Sequence, residues 1–191
     1  AQVDALGHIT SYRYDDQDRL ISVTDAKGGV KQIFYDTAGR PGSYLDCSGY
    51  PTTFEYDVSG RVVAVIDALG RASRYTYDAS GNVTSLCQPD GAIEKFDYDA
   101  DGRLRTHVDA RGSETQYRHN GHGLPVARTD ALGHTVQCRY DALLQMRELI
   151  NAAGESYYFT YDPDGRVTSE IGFDGKRTTY TYDMCGKLLE S

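Results

Sequence analysis

The dipeptide Tyr-Asp returns at Tyr14-Asp15, Tyr35-Asp36, Tyr56-Asp57, Tyr77-Asp78, Tyr98-Asp99, Tyr140-Asp141, Tyr161-Asp162 and Tyr182-Asp183, each step being 21 residues or twice that. The absent member of the series falls at His119-Asn120, a polar aromatic and an Asx residue that keep the register. Nine consecutive units without an insertion constrain the fold strongly. Such a chain stacks one small supersecondary unit on the next, and its packing is shared between neighbours rather than gathered in one centre.

Each unit spells two chain reversals. Three residues after the Asp comes Gly39, Gly60, Gly81, Gly102, Gly123, Gly165 or Gly186, with Asp18 and Leu144 as exceptions. Asp at the first turn position accepts hydrogen bonds from amides ahead of it, and Gly takes the left-handed exit, so the spacing predicts a type I turn. Ten residues on, the spelling recurs from Asp4 to Gly7, Asp25 to Gly28, Asp46 to Gly49, Asp67 to Gly70, Asp109 to Gly112 and Asp130 to Gly133. Gln88, Asn151 and Gly172 take the Asp place in the other units. Departures at Asp18, His119-Asn120 and Leu143-Leu144 are expected to weaken single turns without disturbing the period.

Only six or seven residues separate the turns, which is strand length rather than helix length. On the longer strand Tyr12, Ile33, Phe54, Tyr75, Phe96, Tyr117, Cys138, Phe159 and Tyr180 alternate with polar residues such as Arg13, Glu55, Thr76, Asp97 and Arg118. That period predicts a half-buried antiparallel strand with one aromatic face. The shorter strand repeats an apolar residue at Leu20, Val62, Val83, Leu104, Met146, Val167 and Leu188. Two positions on, Ser22, Ala64, Ser85, Thr106, Ala127 and Ser169 are small or polar, and are expected to leave room for Tyr rings. Pro41 and Pro125 are expected to cost a ladder bond and bend the sheet. The Tyr of the Tyr-Asp pairs, Tyr14 to Tyr98, is expected to stack from unit to unit along one face. The fold class expected is all-β: tandem 21-residue repeats of two antiparallel strands each. About 18 strands spaced about 4.8 Å would span about 85 Å if flat. Inter-strand twist instead makes a long curved or spiralling sheet the expectation.

Composition narrows function. Tyr (16 residues) must supply much of the packing, because there are 5 Phe, no Trp and only 39% hydrophobic residues. A net charge of −8, with basic residues scattered singly, argues against nucleic acid and anionic membrane surfaces. No apolar run is long enough to span a bilayer, and the first residues lack a signal-peptide pattern. Cys47, Cys87, Cys138 and Cys185 occupy four different places in the repeat, whereas a disulfide ladder or zinc site would recur at one, so reduced thiols are expected. Asp97 to Gly102 matches the start of an EF-hand loop, but Val108 stands where its last ligand belongs, and the turn already accounts for Asp99 and Gly102. His119 and His122 flank Asn120-Gly121, which is first a turn signal. Ser73, Ser113 and Ser156 lack a nucleophile-elbow spelling, and the many Asp residues are explained as turn formers. No catalytic, cofactor or metal residues are expected.

Tyr-Asp-x-x-Gly-Arg-Leu/Val, then Asp-Ala-x-Gly and a return to Tyr-x-Tyr-Asp, as in Tyr56 to Asp78 and Tyr98 to Asp109, resembles the YD repeat of Rhs proteins. The same repeat occurs in the B and C components of insecticidal Tc toxin complexes, in wall-associated bacterial polymorphic toxins and in teneurins. The resemblance implies a hairpin strip forming part of a hollow shell wall that encloses a C-terminal toxin domain until delivery. Its expected partners are adjoining repeats of the parent chain, the enclosed toxin and secretion-apparatus proteins. It places the parent outside the cell or on its surface, in bacterial competition of the type VI secretion kind. Residues 1–191 are then one array, an interior fragment of a larger protein whose mid-strand ends at Ala1 and Ser191 favour edge-to-edge self-association. No protease residues carry over, since nothing after Tyr182 resembles the family's core-associated segment. The alternative reading is a cell-surface module that binds a neutral carbohydrate or a protein through its Tyr rows. On either reading the motif residues are structural: Tyr14, Asp15, Tyr35, Asp36, Gly39, Tyr56, Asp57, Gly60, Tyr77, Asp78, Gly81, Tyr98, Asp99, Gly102, Tyr140, Asp141, Tyr161, Asp162, Gly165, Tyr182, Asp183 and Gly186.

Overall fold

The computed structural model describes residues 1–5 and 7–190, and all regular structure among them is β. The mid-strand end expected at Ser191 lies outside the described residues. The chain divides into two compact units, Ala1–Glu94 and Lys95–Ser191. The first carries β1 (Gln2–Val3), β2 (Ile9–Tyr14), β3 (Leu20–Thr24), β4 (Val30–Tyr35), β5 (Pro41–Leu45), β6 (Pro51–Tyr56), β7 (Val62–Ile66), β8 (Ala72–Tyr77) and β9 (Val83–Cys87). The second holds β10 (Ile93–Tyr98), β11 (Leu104–Val108), β12 (Glu114–His119), β13 (Pro125–Thr129), β14 (Thr135–Tyr140), β15 (Met146–Ile150), β16 (Ser156–Tyr161), β17 (Val167–Ile171), β18 (Arg177–Thr179), β19 (Thr181–Tyr182) and β20 (Leu188–Glu190). Within each unit a strand pairs antiparallel with the next in sequence, so each is a plain meander. No described helix is long and apolar enough to cross a membrane.

Both turns close as three-residue loops. At the Tyr-Asp turn of β6 and β7 the Asp57 amide donates to the Arg61 carbonyl (2.9 Å) and the Gly60 amide to the Asp57 carbonyl (3.0 Å), with Gly60 at φ 82°. That is a type I turn followed by a left-handed residue, a common hairpin connection. Asp18 and Leu144 take the same conformation without being Gly, at φ 57° and 64°. Their amides still reach the turn Asp, both at 3.1 Å. Where the second turn lacks Asx at its first position, a later Asp substitutes: Asp90 accepts the Ala92 amide (3.0 Å) and Asp174 the Lys176 amide (2.9 Å).

Every Tyr-Asp hairpin also carries a register shift just before the Tyr. Glu55 pairs with Ala64, but Tyr56 pairs with Val62, which leaves one extra residue on the shorter strand. This bulge locally adds twist and re-aims the side chains around it. Pro41 and Pro125 sit first in their strands, opposite Tyr35 and His119, and the meander keeps its register through both.

The half-buried alternation is met, and one expectation about packing needs correction. Alternation is visible, as in β6, where Thr52, Phe54 and Tyr56 are less exposed than their neighbours, but it is shallow. Among the described residues only Ala64 is a buried hydrophobic, joined by Ser22 and Ser169. A single layer of strands gives large side chains no second layer to enter. The small residues, moreover, do not make room for Tyr rings. Facing pairs in antiparallel strands share a sheet face, and Ala64 faces Glu55 on one side and Arg74 on the other. Those two side chains meet at 3.5 Å across it. Ser169 likewise faces Thr160 and Thr179 and shares a hydroxyl hydrogen bond with Thr160 (2.8 Å). The small side chain is covered by its polar neighbours. The last long strand is split at Tyr180, although the Tyr180 amide still donates to the Thr168 carbonyl (2.9 Å).

Candidate functional site

The repeated motif residues converge on one edge of each meander, where the Tyr-Asp turns lie. The chemistry starts from the turn carboxylate. Asp57 Oδ1 accepts the amides of Ser59 (2.9 Å) and Arg61 (3.0 Å), and Oδ2 accepts Arg61 Nε (2.7 Å). Asp15 with Arg19, Asp36 with Arg40 and Asp162 with Arg166 repeat this arrangement. The Arg four residues on is thereby fixed in place, its guanidinium lying along the rim.

That guanidinium reaches the next repeat. Arg19 covers the ring of Tyr35 (4.5 Å to its centre), Arg40 that of Tyr56 (4.4 Å), Arg61 that of Tyr77 (4.8 Å) and Arg166 that of Tyr182 (5.2 Å). Arg61 also donates to the Asp78 carbonyl (3.0 Å). Along the rim, Tyr hydroxyls donate to backbone carbonyls 15 residues earlier: Tyr35 to Leu20 (2.8 Å), Tyr56 to Pro41 (2.7 Å), Tyr77 to Val62 (2.5 Å), Tyr140 to Pro125 (2.8 Å), Tyr161 to Met146 (2.7 Å) and Tyr182 to Val167 (2.8 Å). Between β5 and β6 the ladder ends at Ser43 and Thr53, so the Tyr hydroxyl serves a carbonyl that the ladder has left behind.

The expected stacking of Tyr on Tyr is therefore replaced. For Tyr35, Tyr56, Tyr77 and Tyr182 the ring partner is the Arg of the preceding repeat. A cation over an aromatic face is attracted by the ring quadrupole, whereas repeats one hairpin apart are two strand spacings apart, about 9.6 Å, too far for ring contact. Tyr14 is 57% exposed.

Some repeats lack the Arg. Asn82, Leu124, Gln145 and Lys187 occupy its place, and the Asn82 side chain keeps only the carboxylate bond, to Asp78 Oδ2 (2.9 Å). At the His119-Asn120 unit, Asn120 Oδ1 accepts the His122 and Leu124 amides (both 3.0 Å), the same turn that Asp makes elsewhere. Asp183 likewise accepts the Cys185 and Lys187 amides (2.9 and 2.8 Å).

The electrostatics follow from these contacts. The carboxyls of Asp15, Asp36, Asp57, Asp99 and Asp162 are held below the ordinary Asp range, first by the amide four residues on; in all but Asp99 the Arg side-chain bond adds to this. In Asp67 and Asp78 the side-chain partners, Arg71 and Asn82, come first. The EF-hand-like segment is engaged elsewhere: Asp97 pairs with Arg105 (2.6 Å) and Asp101 with Arg103. His8 and His134 each bond the turn Asp four residues back, Asp4 and Asp130, and neither imidazole meets a hydroxyl or thiol among the described residues. Carboxylates that bind turns and imidazoles without nucleophiles can hold structure together; they offer no relay to a reacting atom.

The RHS Repeat family model matches residues 1–30, 35–72, 56–93 and 98–135, and the last three matches start one and then two repeat lengths apart. The chain belongs to the RHS repeat family. No curated protein matches it. Among solved structures, the RHS repeats here resemble the crystal structure of TcdB2-TccC3-TEV (TM-score 0.64, 16% identity, 94% of this chain and 12% of that one). They also resemble TcdB2-TccC3 itself (TM-score 0.61, 15% identity, 94% and 12%). A Photorhabdus luminescens Tc holotoxin pore is a further match (TM-score 0.55, 16% identity, 95% and 13%). At that identity the likeness concerns the fold. The RHS repeats of this chain span about an eighth of the length of those chains.

Proposed function

We propose that residues 1–191 are one array of RHS repeats whose work is architectural: a non-catalytic wall segment of a shell that encloses a C-terminal toxin domain of its parent protein and helps deliver it. The partners are adjoining repeats and the enclosed domain, and the parent acts outside the cell or on its surface. The observation that carries this reading is the Asp-Arg-Tyr rim. It ties successive repeats together by a hydroxyl on a carbonyl and, at Tyr35, Tyr56, Tyr77 and Tyr182, also by a guanidinium on the ring, and so holds together a sheet whose large side chains have no core of their own. A wall needs such stitching along its length and two faces left for other uses. One similar structure, TcdB2-TccC3, was also crystallised without its hypervariable C-terminal region, which is how a shell with a separable variable cargo would behave.

Protease protection tests this. In the parent protein the segment C-terminal to the repeats should survive protease while the repeats are folded, and be digested once they are unfolded with urea. Digestion at the rate of the same segment expressed alone would overturn enclosure.

A further inference from the structure

The repeats serve as their own alignment, and one place in the second unit departs from it at three positions that meet in space. Tyr157 is the only aromatic in a column that otherwise holds Thr10, Lys31, Thr52, Ser73, Glu94, Thr115, Val136 and Thr178; Glu170 is the only acid in a mixed column that includes Val23, Tyr44, Val65, Leu86, His107, Arg128 and Leu149; and Phe173 is the only aromatic where the other repeats have Ala, Cys47 or Pro89. In the fold the Tyr157 ring lies 4.9 Å from the ring of Phe159 and 5.4 Å, edge-on, from that of Phe173. Phe159 pairs directly with Glu170 across the strands, so their side chains share a face. Tyr180 donates its hydroxyl to Glu170 Oε1 (2.6 Å). That bond pushes the Tyr180 phenol up to about 12, and Glu170 raises Tyr157 as well, so both phenols stay neutral donors at physiological pH.

Gly172 admits a second carboxylate. A Cβ there would stand 2.9 Å from Asp174 Oδ1 and 3.6 Å from Tyr157 Cε2, so the glycine lets Asp174 lie close beside the Tyr157 ring. One oxygen of Asp174 is committed to the Lys176 amide. Three carboxylates on strands elsewhere find arginines: Glu55 has Arg74 (3.5 Å), Asp97 has Arg105 (2.6 Å) and Glu148 has Arg139 (2.8 Å). Neither Glu170 nor Asp174 has an ion-pair partner among the described residues.

We propose that Tyr157, Phe159, Phe173 and Glu170, with Asp174 alongside, form a binding site for an organic cation of the alkylammonium class. Ring faces attract such a group and carboxylates supply the countercharge, while its hydrocarbon shell suits a half-exposed aromatic patch better than a hydrated metal ion does. The inference is independent of the enclosure reading.

The test is an NMR titration of the chain, labelled in its Tyr and Phe rings, with tetramethylammonium chloride at constant ionic strength. Saturable shifts are expected at Tyr157 and Phe173, weakened about tenfold or more by Glu170→Gln and by Phe173→Ala. Unchanged Tyr56 signals in both variants would verify their fold. Nα-acetyl-lysine methylamide is the second arm: saturation of the same rings by it assigns the cation to a polypeptide, and saturation by tetramethylammonium alone assigns it to a free amine. An equal response to tert-butanol, retention in Glu170→Gln, saturation by glucose but by neither cation, or no saturation at all would overturn the proposal.

Discussion

Tyr77 and Arg61 allow the rim to be measured at one joint. Tyr77→Phe removes only the hydroxyl that reaches the Val62 carbonyl at 2.5 Å, and keeps the ring beneath Arg61. One net hydrogen bond of this kind contributes about 0.5–1.5 kcal/mol, and the Val62 carbonyl can turn to water, so we expect a loss near the lower end. Tyr77→Leu also removes the ring face. Combined with Arg61→Met in a double-mutant cycle, it isolates the guanidinium–ring contact at 4.8 Å, since the Arg61 bonds to Asp57 and to the Asp78 carbonyl are lost in both arms and cancel. A half-exposed pair of this kind should give a coupling of about 0.5–1 kcal/mol. Urea denaturation followed by circular dichroism and Tyr fluorescence suits a chain without Trp. The matching control is Gln145→Met with Tyr161→Leu, where no guanidinium covers the ring, and there the coupling should vanish. Equal couplings at the two joints, or none at Arg61 and Tyr77, would refute the view that Arg stitches successive repeats.

Three more outcomes follow from the rim and its turns. Gln145→Arg should supply the missing cation over the Tyr161 ring and raise the urea midpoint by the equivalent of about 0.5–1 kcal/mol; an unchanged midpoint and no new Arg–Tyr contact in a structure would contradict this. Gly60→Val, at φ 82°, should cost about 2 kcal/mol or more by denaturation. Gly121→Val, with open space around it in the corresponding turn three repeats on, should cost far less, so similar losses would show that backbone strain is not the cause. Finally, Asp15, Asp36, Asp57 and Asp162 titrate lower folded than unfolded, so their contribution is fully present above about pH 4 and is lost as pH falls through their folded values. The urea midpoint should therefore drop below about pH 4, and less steeply in Asp57→Asn, since Asn120 already makes the same turn; a midpoint unchanged down to pH 3 would remove the carboxylates from the account.

The period, both turns and the strands were legible because each is local: Asp57 and Gly60 are three residues apart, and the alternation around Phe54 spans one strand. What joins repeats was not. Arg61 meets Tyr77 across 16 residues, and only the bulge before each Tyr sets which ring lies beneath which guanidinium. Ring periodicity alone suggested Tyr on Tyr, which the spacing of two strands forbids. The aromatic alternation pointed to a half-buried face, as found around Phe54, but periodicity reports which residues share a face and says nothing about whether a second layer covers it. Ala64 was read as space for a ring, when cross-strand register places it between Glu55 and Arg74. The Tyr157, Glu170 and Phe173 cluster did leave a signal, since Tyr157 and Phe173 are the only aromatics in their columns and Glu170 the only acid in its own, but only the strand register and the ring contacts bring the three together.

Enclosure is the central claim, and an electron cryomicroscopy structure of the parent protein tests it most directly. The account predicts that residues 1–191 form a continuous stretch of a closed wall, with the Arg61 to Tyr77 type of joint recurring beyond the array and density for the C-terminal segment inside. A parent in which these repeats form an open strip, with the C-terminal segment outside it in solvent, would contradict the account.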